Sequence, residues 1–360
     1  MNLAKLNRNA HTIRMGRQAT EDGTMRGMHL WAAAATFVSM SADDALAQQK
    51  LTDIRYGTNW VAQAEHGGYY QALADGTFEK YGLKVTIVPG GPQANNRMLL
   101  PVGRIDFYMG GNMVQAFSAV EENIPTLVVA AHFQKDPQVM LAHPDSGYET
   151  FQDLKKSNDI LVSKEGVATF YQWMKSEYGF KEEQVKPYAF NPAPFIANKK
   201  AVQQGYVTSE PLAIEKAAGF KPKAFLLADS GFSTYATTVE ARRDMVEKQP
   251  DVVQNFVDAS AIGWYNYLYG DNKKANDLIK MDNPEMTDEQ IAFSIAKMKE
   301  YGIVDSGDTA TNGVGAMTDG RMNDFFDKMV KAGLFKAGLD YRKAYTLQFV
   351  NKGVGRELKK

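Results

Sequence analysis

The organisation of the chain follows from one segment, Thr58-Asn59-Trp60-Val61-Ala62-Gln63-Ala64-Glu65-His66-Gly67-Gly68-Tyr69-Tyr70-Gln71-Ala72. A β-prone run, 54–60, leads into it, and apolar residues at helical spacing lead out of it. The segment therefore predicts a strand, a polar turn and a helix. In an open α/β sheet, ligands bind outside the carboxyl ends of the strands, where helix N-termini offer free backbone N–H groups. We expect Trp60 and His66 to lie in that crevice.

The same pattern continues through Gly76-Thr77-Phe78-Glu79-Lys80-Tyr81-Gly82-Leu83-Lys84-Val85-Thr86-Ile87-Val88-Pro89-Gly90-Gly91-Pro92. Together the two segments resemble the opening of the SsuA/THI5-like (NMT1-type) family of periplasmic solute-binding proteins, the nitrate, sulfonate, taurine and thiamine-pyrimidine group. The resemblance covers roughly residues 51–334. It implies a type II periplasmic binding fold and the role of a substrate-binding protein for an ABC transporter, with permease subunits as partners.

Strand and helix patterns alternate from Leu51 onward, which predicts an α/β protein with mainly parallel sheets. A chain of 360 residues suits two lobes of about 100–200 residues each, with a ligand cleft between them. The turn cluster 144–147 predicts the first crossing between the lobes, and 229–233 predicts the return. We therefore expect lobe 1 to comprise 48–142 and 231–360, including C-terminal helices, and lobe 2 to comprise 143–230.

Composition excludes several classes of function. A formal net charge of −1 gives no electrostatic reason to expect nucleic acid or an anionic membrane as partner. The chain has no cysteine, which excludes disulfides and thiolate metal sites, and none of its five histidines pair at H-x3-H spacing. We expect no metal and no cofactor, and a monomer that binds a small molecule.

The first 47 residues are predicted to be a signal peptide. Arg26 and His29 precede the apolar run 30–38, and Ala45-Leu46-Ala47 forms an A-x-A site. Cleavage after Ala47 would place the mature protein in the periplasm. The long lead before Arg26 is consistent with translation starting at Met25 or Met28, and a buried N-terminal helix is the alternative interpretation.

Three aromatic candidates lie in the opening segment. Trp60 would stack on a planar ligand, and its alternative is an interior aromatic that caps the sheet. His66, at a helix N-terminus where the dipole disfavours a charged imidazole, would bond the ligand or merely cap the helix. Tyr69 and Tyr70 point about 100° apart on a helix, so only one can face the cleft, and Tyr69 is preferred.

Two glycine turns occupy equivalent places in the first lobe. Gly90-Gly91-Pro92-Gln93 and Met109-Gly110-Gly111-Asn112-Met113 each follow a strand and open a helix. Gln93 and Asn112 are therefore candidate ligand residues, and Asn112 is also a good helix N-cap. Neither turn is a G-x-G-x-x-G motif or a P-loop, so nucleotide phosphate binding is excluded.

The second lobe offers its own candidates at strand ends. Thr169 ends the polar turn 163–169, and Phe190 and Asn191 follow another strand. Tyr206 and Glu210 belong to Gln204-Gly205-Tyr206-Val207-Thr208-Ser209-Glu210-Pro211, which is similar to the family's strand ending in a glutamate-proline pair at the cleft. Glu210 would accept hydrogen bonds from a ligand, kept ionised by the helix dipole, or would only cap the helix.

These residues predict a receptor and not an enzyme. Aromatic walls with one carboxylate favour a planar, neutral or cationic heterocycle such as a pyrimidine precursor. The alternative ligand is an alkanesulfonate, taurine or nitrate-type anion. An enzyme resembling the thiamine-pyrimidine synthases is less favoured, because those relatives rely on a cysteine-rich iron-binding motif that this chain lacks. An exported sensor or scaffold stays open as a further alternative.

Overall fold

The computed structural model describes residues 50–91 and 94–359, so the predicted signal peptide, 1–47, and Gln93 lie outside the described residues. The strands in these ranges are β1 (Thr52–Gly57), β2 (Leu83–Val88), β3 (Phe107–Asn112), β4 (Thr126–Phe133), β5 (Gln138–Ala142), β6 (Ile160–Val162), β7 (Val185–Pro187), β8 (Val202–Tyr206), β9 (Lys223–Leu226) and β10 (Ala236–Arg242). The helices are α1 (Gly67–Ala74), α2 (Thr77–Lys80), α3 (Met113–Glu121), α4 (Lys164–Ala168), α5 (Phe170–Tyr178), α6 (Ala193–Ala197), α7 (Glu210–Ala218), α8 (Arg243–Lys248), α9 (Pro250–Tyr269), α10 (Lys273–Asp282), α11 (Asp288–Glu300), α12 (Thr309–Asn312) and α13 (Asp319–Lys331).

The strands form two sheets with the same plan, in the orders β2-β1-β3-β10-β4 and β7-β6-β8-β5-β9. In each sheet one strand, β10 or β5, runs antiparallel to both of its neighbours, and the other four share one direction. Each antiparallel strand is the first that the chain forms after it enters from the other lobe. No crossover helix precedes that strand to return the chain in the parallel direction. The sheets are therefore mixed. Four strands of each sheet run in the same direction, as predicted, and the strand that enters from the other lobe runs in the opposite direction.

The first crossing between the lobes lies at residues 134–137, between β4 and β5. The sequence had predicted it at 144–147, which was wrong because β5 pairs with β8 and β9 at the centre of the second sheet. An apolar strand that is buried on both faces does not reveal from its own residues which sheet it joins. The return crossing, 227–235, contains the predicted segment 229–233. We therefore propose lobe boundaries at these crossings, which move β5 from lobe 1 to lobe 2.

The opening helix α1 packs against the long helix α9 at two glycines. A Cβ on Gly67 would come within 2.0 Å of the Tyr267 ring, and a Cβ on Gly68 within 2.3 Å of the Trp264 indole. Only a residue without a side chain permits this approach. Trp264 and Tyr267 are fully buried. The two glycines thus hold the opening segment to the core of lobe 1.

Among the described residues between β2 and β3, the chain forms a short 3-10 turn, Asn96–Leu99, where a helix was predicted to follow Gly90-Gly91-Pro92-Gln93. The Asn96 amide donates to the backbone oxygens of Thr58 and Val88, both at 3.0 Å, and so fixes the turn to the ends of β1 and β2.

Across the part of the chain that the structure describes, no helix has the length and apolar character needed to cross a membrane.

Candidate functional site

A cavity of about 390 Å³ lies between the two lobes. It opens at the carboxyl ends of β1, β3, β6 and β8, which is where open α/β sheets bind ligands. Its volume is within the range of about 300–1,000 Å³ that is common for small-molecule sites. Among the sequence candidates, those that line it are Trp60, Asn112, Thr169, Phe190, Tyr206 and Glu210.

Trp60 and Phe190 face each other across this cleft, one from each lobe. Their ring centroids are 5.5 Å apart and the ring planes are inclined at 45°. Trp60 is half-buried, whereas Phe190 is 57% exposed. The backbone of Phe190 has a φ of 58°, in the left-handed region that costs a residue with a side chain about 1–2 kcal/mol. The fold thus holds a large exposed aromatic ring in a strained conformation at the mouth of the cleft.

His66 and Tyr69 do not reach the cleft, and their prediction as ligand residues was wrong. Both are fully buried in the core of lobe 1. The Tyr69 hydroxyl makes a 2.8 Å hydrogen bond with Nδ1 of His132, and burial lowers the pKa of His66 to about 3, so its imidazole is neutral. Because α1 packs closely against α9, the side chains in the first turn of α1 point into the core. Tyr70 is buried as well, with its hydroxyl 2.6 Å from Asp282.

Glu65 enters the cleft from the same segment, although the sequence analysis did not select it. It belongs to the short 3-10 turn Ala64–His66, which directs Glu65 to the cavity and the next residue, His66, into the core. Glu65 is 2% exposed and accepts a hydrogen bond from the hydroxyl of Thr208 in lobe 2. Burial raises the pKa of Glu65 to about 7, partly opposed by that hydrogen bond.

Asp136 is a second carboxylate that the sequence analysis missed. It lies on the first crossing and is 3% exposed. Its two oxygens accept from the backbone N–H of Gln138 and from the side-chain amide of Asn112, both at 3.1 Å. Burial raises the pKa of Asp136 to about 6. Asn112 is the predicted N-cap of α3, since its side-chain oxygen accepts from Val114 N–H at 3.1 Å.

Glu210 lines the cleft at the start of α7. One of its oxygens accepts from the backbone N–H of Tyr206 at 2.7 Å. Burial nevertheless raises the pKa of Glu210, which is opposite to the direction in which the helix terminus acts. The cost of desolvating the carboxylate outweighs the favourable backbone contacts. Glu165 of α4 also lines the cavity and accepts from Gln115 of lobe 1 at 3.0 Å.

Three other sequence candidates contribute less. Thr169 lines the cavity, but its hydroxyl already donates to the backbone oxygen of Glu165 at 2.8 Å. Asn191 is exposed outside the cavity lining, and its side chain accepts from Ala193 N–H in the turn before α6, so its assignment to the ligand site was wrong. Gln93 lies outside the described residues, so its role stays a prediction.

Two backbone N–H groups at the cleft are occupied by the chain's own side chains. Gly111 N–H donates to Gln115 at 3.0 Å, and Gly166 N–H donates to Ser163 at 3.1 Å. Among the described residues that line the cavity there is no Lys, Arg or His. An anion would therefore meet no cationic side chain here, whereas the oxygens of the carboxylates can accept hydrogen bonds from a ligand.

Tyr206 stands among the negative groups of the cleft. Burial raises the pKa of its phenol, and the charges of Asp136, Glu165, Glu65 and Glu210 raise it further. The site is therefore aromatic and acidic. Within the described ranges, no three Asp, Glu or His side chains are placed to hold a metal ion together.

Comparison with known proteins gives one family and one shared fold. A family model described as NMT1/THI5 like matches residues 63–275. No match is found among curated proteins. A similar solved structure is the periplasmic aliphatic sulphonate binding protein SsuA from Escherichia coli, at 14% identity and a TM-score of 0.59, which covers 81% of this chain and 91% of that one.

Two further solved structures share the fold. The periplasmic nitrate-binding protein NrtA from Synechocystis is 13% identical with a TM-score of 0.52, covering 86% of this chain and 88% of that one. The desulfurization enzyme DszB is 13% identical with a TM-score of 0.55, covering 85% and 99%. At these identities the likeness confirms the periplasmic binding fold and nothing finer. The family model, in contrast, matches more than half of the sequence. The chain belongs to the NMT1/THI5-like family.

Proposed function

We propose that the protein is an exported receptor that captures a small molecule between its lobes and delivers it to an ABC importer. The observation that carries this proposal is the 390 Å³ cleft at the strand ends, with Trp60 and Phe190 facing each other across it. Lobes joined by two crossings can close around a ligand by a hinge motion. Proteins of the same fold are described as sulphonate- and nitrate-binding, which supports a receptor role.

The export signal and the partners are part of this proposal. We propose that residues 1–47 are removed after Ala47, that the mature protein starts at Gln48 in the periplasm, and that it acts as a monomer. Its partners would be the permease subunits of an importer. Sequencing the N-terminus of periplasmic protein checks the first point, and a chain that retains residues 1–47 there would contradict it.

For the ligand, we propose a planar nitrogen heterocycle, of which a pyrimidine precursor is one example. The Trp60 or Phe190 ring offers a face on which a flat ring can stack, and the carboxylates of Glu65 and Glu210 suit ring nitrogens or an exocyclic amine. A sulfonate or nitrate is the second candidate, favoured by the descriptions of the related structures. The acidic lining of the cleft counts against it, because a like charge opposes an anion.

We propose binding and not catalysis. The thiamine-pyrimidine synthases that the sequence resembles rely on cysteine ligands, and this chain has no cysteine. One protein of the same fold is described as a desulfurization enzyme, so the fold itself does not exclude chemistry. A receptor requires only that the cleft recognise and release its ligand.

The test is to purify the mature protein from its own periplasm and identify the co-purified small molecule by native mass spectrometry. Small-angle scattering with and without that molecule then measures closure about the crossings 134–137 and 227–235. We expect a smaller radius of gyration with ligand. An unchanged radius at saturating ligand would argue against a closing receptor, and turnover of the molecule by the pure protein would indicate an enzyme.

A further inference from the structure

We infer that the ligand of the cleft carries a positive charge: it is a small organic cation, whose charge is balanced by Glu65 and Asp136 and whose body lies against the aromatic rings that line the cavity. This inference rests on the proposed function, since it assigns the charge of the molecule that the receptor binds. It separates the cationic heterocycles from the neutral ones and from the anions.

The carboxylates of Glu65 and Asp136 are buried without a cation. Glu65 and Asp136 are 2% and 3% exposed, and no Lys, Arg or His among the described residues pairs with either of them. Buried charges in proteins are normally paired, because desolvation disfavours an isolated ion strongly. Hydrogen bonds from Thr208, Gln138 and Asn112 stabilise the carboxylates but do not neutralise them. A cationic ligand would supply the missing partner.

The acidic side chains of the site face one cavity. Glu65, Asp136, Glu165 and Glu210 come from four different elements and all line it. Oε1 of Glu65 accepts from Thr208, and no other side chain among the described residues donates to this carboxylate. The second oxygen, Oε2, is available to a donor in the cleft. Like charges gathered around one space repel one another when it is empty and attract a cation that fills it.

Aromatic rings at the cavity also favour a cationic ligand. A cation over the face of Trp, Tyr or Phe is attracted by the ring quadrupole, and aromatic cages are a known way to hold ammonium groups. Trp60, Phe190 and Tyr206 present such rings to the cavity from both lobes. Phe190 is kept exposed in a left-handed backbone conformation. Aromatic faces and carboxylates together are complementary to a cation with an apolar body.

Protonation is the competing way to remove these charges. Burial raises the pKa of Glu65 to about 7 and that of Asp136 to about 6, so both groups are largely ionised at pH 8. At pH 8 the empty cleft therefore holds charge without a partner, and the preference for a cation is greatest there. This sets the condition for the experiment.

Three probes that share one ring test the charge preference by calorimetric titration of the full chain at pH 8: 1-methylnicotinamide, a cation; nicotinamide, which is neutral; and nicotinate, an anion. We expect 1-methylnicotinamide to bind at least tenfold more tightly than nicotinamide, and nicotinate to bind most weakly. Glu65→Gln should reduce the difference between cation and neutral probe. Equal or tighter binding of the neutral or anionic probe would overturn the inference while leaving a receptor that closes on its native ligand.

A measurement without ligand decides the case in which none of the probes binds. At pH 8, Glu65→Gln should raise the melting temperature of the empty protein, because it removes an unpaired buried charge and keeps an oxygen for Thr208. The matched control is Asp305→Asn: Asp305 is 8% exposed but pairs with Lys359 at 2.8 Å, so its neutralisation should lower the melting temperature. If Glu65→Gln instead leaves the melting temperature unchanged or lowers it as Asp305→Asn does, Glu65 is not an unpaired charge and the inference fails.

Discussion

Thr208 of lobe 2 donates its hydroxyl hydrogen to the carboxylate of Glu65 in lobe 1, at the inner side of the cleft. The backbone oxygen of Thr208 accepts in turn from Ser294 at 2.7 Å and from Gln290 at 3.0 Å, both on α11. Thr208 is thus held by lobe 1 on two sides. These contacts join the lobes independently of the aromatic pair at the mouth.

Removing the Thr208 hydroxyl should weaken ligand binding. A hydrogen bond to a charged group contributes about 1.5–3 kcal/mol, and this one requires the lobes to be together. We expect Thr208→Val to lower affinity about tenfold or more, because a loss of about 1.4 kcal/mol of binding free energy raises the dissociation constant tenfold. Thr208→Ser, which keeps the hydroxyl, is the control and should bind nearly as wild type. Equal calorimetric affinities for all three proteins would show that the contact plays no part in closure.

Trp60 should matter more for binding than for folding. Losing a stacked ring removes about 0.5–1.5 kcal/mol of pair energy in addition to its buried area, so we expect Trp60→Ala to lower affinity tenfold or more. Truncating a fully buried Trp costs about 3–5 kcal/mol of stability, and the half-buried Trp60 should cost less. Trp60→Phe keeps a ring face and should recover much of the affinity. A large fall in melting temperature with unchanged affinity would instead make Trp60 a core residue.

Glu210→Gln should weaken binding of a cationic or amine-bearing ligand by about ten- to a hundredfold, the range for a charge-assisted hydrogen bond. The amide oxygen of the new side chain can still accept from Tyr206 N–H, so the fold should be retained. Calorimetry with the native ligand and a thermal melt check both points. Tighter binding of an anion by the variant would show that the carboxylate repels the ligand, and would favour the sulfonate or nitrate alternative.

The Glu65 carboxyl should make stability depend on pH. Its folded-state pKa of about 7 is above the ordinary value of 4.5, so the native protein binds more protons than the unfolded chain between these values. The free energy of unfolding should therefore fall as pH rises from about 4.5 to 7, by about 1.4 kcal/mol for each unit of the pKa shift. Asp136 acts in the same direction, with its pKa raised to about 6.

Two buried histidines act in the opposite sense, because the pKa values of His66 and His132 are lowered to about 3 and their unfolded forms take up protons below pH 6.5. The contribution of Glu65 is therefore read from the difference between wild type and Glu65→Gln in urea unfolding at several pH values. We expect that difference to change between pH 4.5 and 7. A constant difference would mean that Glu65 titrates at its ordinary pKa, as it would in an open cleft.

Gly68→Ala should destabilise lobe 1, because the added Cβ would come within 2.3 Å of the Trp264 ring. Overpacking of a core costs about 1–3 kcal/mol, which lowers the melting temperature measurably. Gly76→Ala is not a matched control, since Gly76 has a positive φ of 71°. Gly320→Ala on α13 is suitable, because a Cβ there meets nothing within 4 Å. Equal melting temperatures for the two variants would contradict the tight contact of α1 with α9.

The sequence predicted the parts of the site that follow from strand ends. Trp60, Asn112 and Tyr206 line the cleft because each lies at or just after the carboxyl end of a strand. The failures concern residues whose direction depends on tertiary packing. His66 and Glu65 are adjacent in one 3-10 turn, and only the docking of α1 on α9 decides which of them faces the core.

Asp136 was missed for a related reason. It lies on the crossing at 134–137, and the sequence analysis assigned this segment to the interior of lobe 1 because β5 was placed in the wrong sheet. Because β5 belongs to lobe 2, the residues that connect β4 to β5, including Asp136, lie between the lobes. A strand with mostly apolar residues carries no local signal for its partner, so the position of Asp136 required the three-dimensional structure.

The pairing of β10 with β4 has a topological consequence. Phe133, the last residue of β4, is the antiparallel partner of Ala236, the first residue of β10. The chain therefore leaves lobe 1 and returns to it at neighbouring points, and lobe 2 is in effect an insertion at the tip of a β-hairpin. The same holds in the second sheet, where β5 begins beside the end of β9, with Val139 opposite Leu226. Both connections start and finish on adjacent strands, so lobe 2 can rotate as one body while the hairpin of lobe 1 keeps its register.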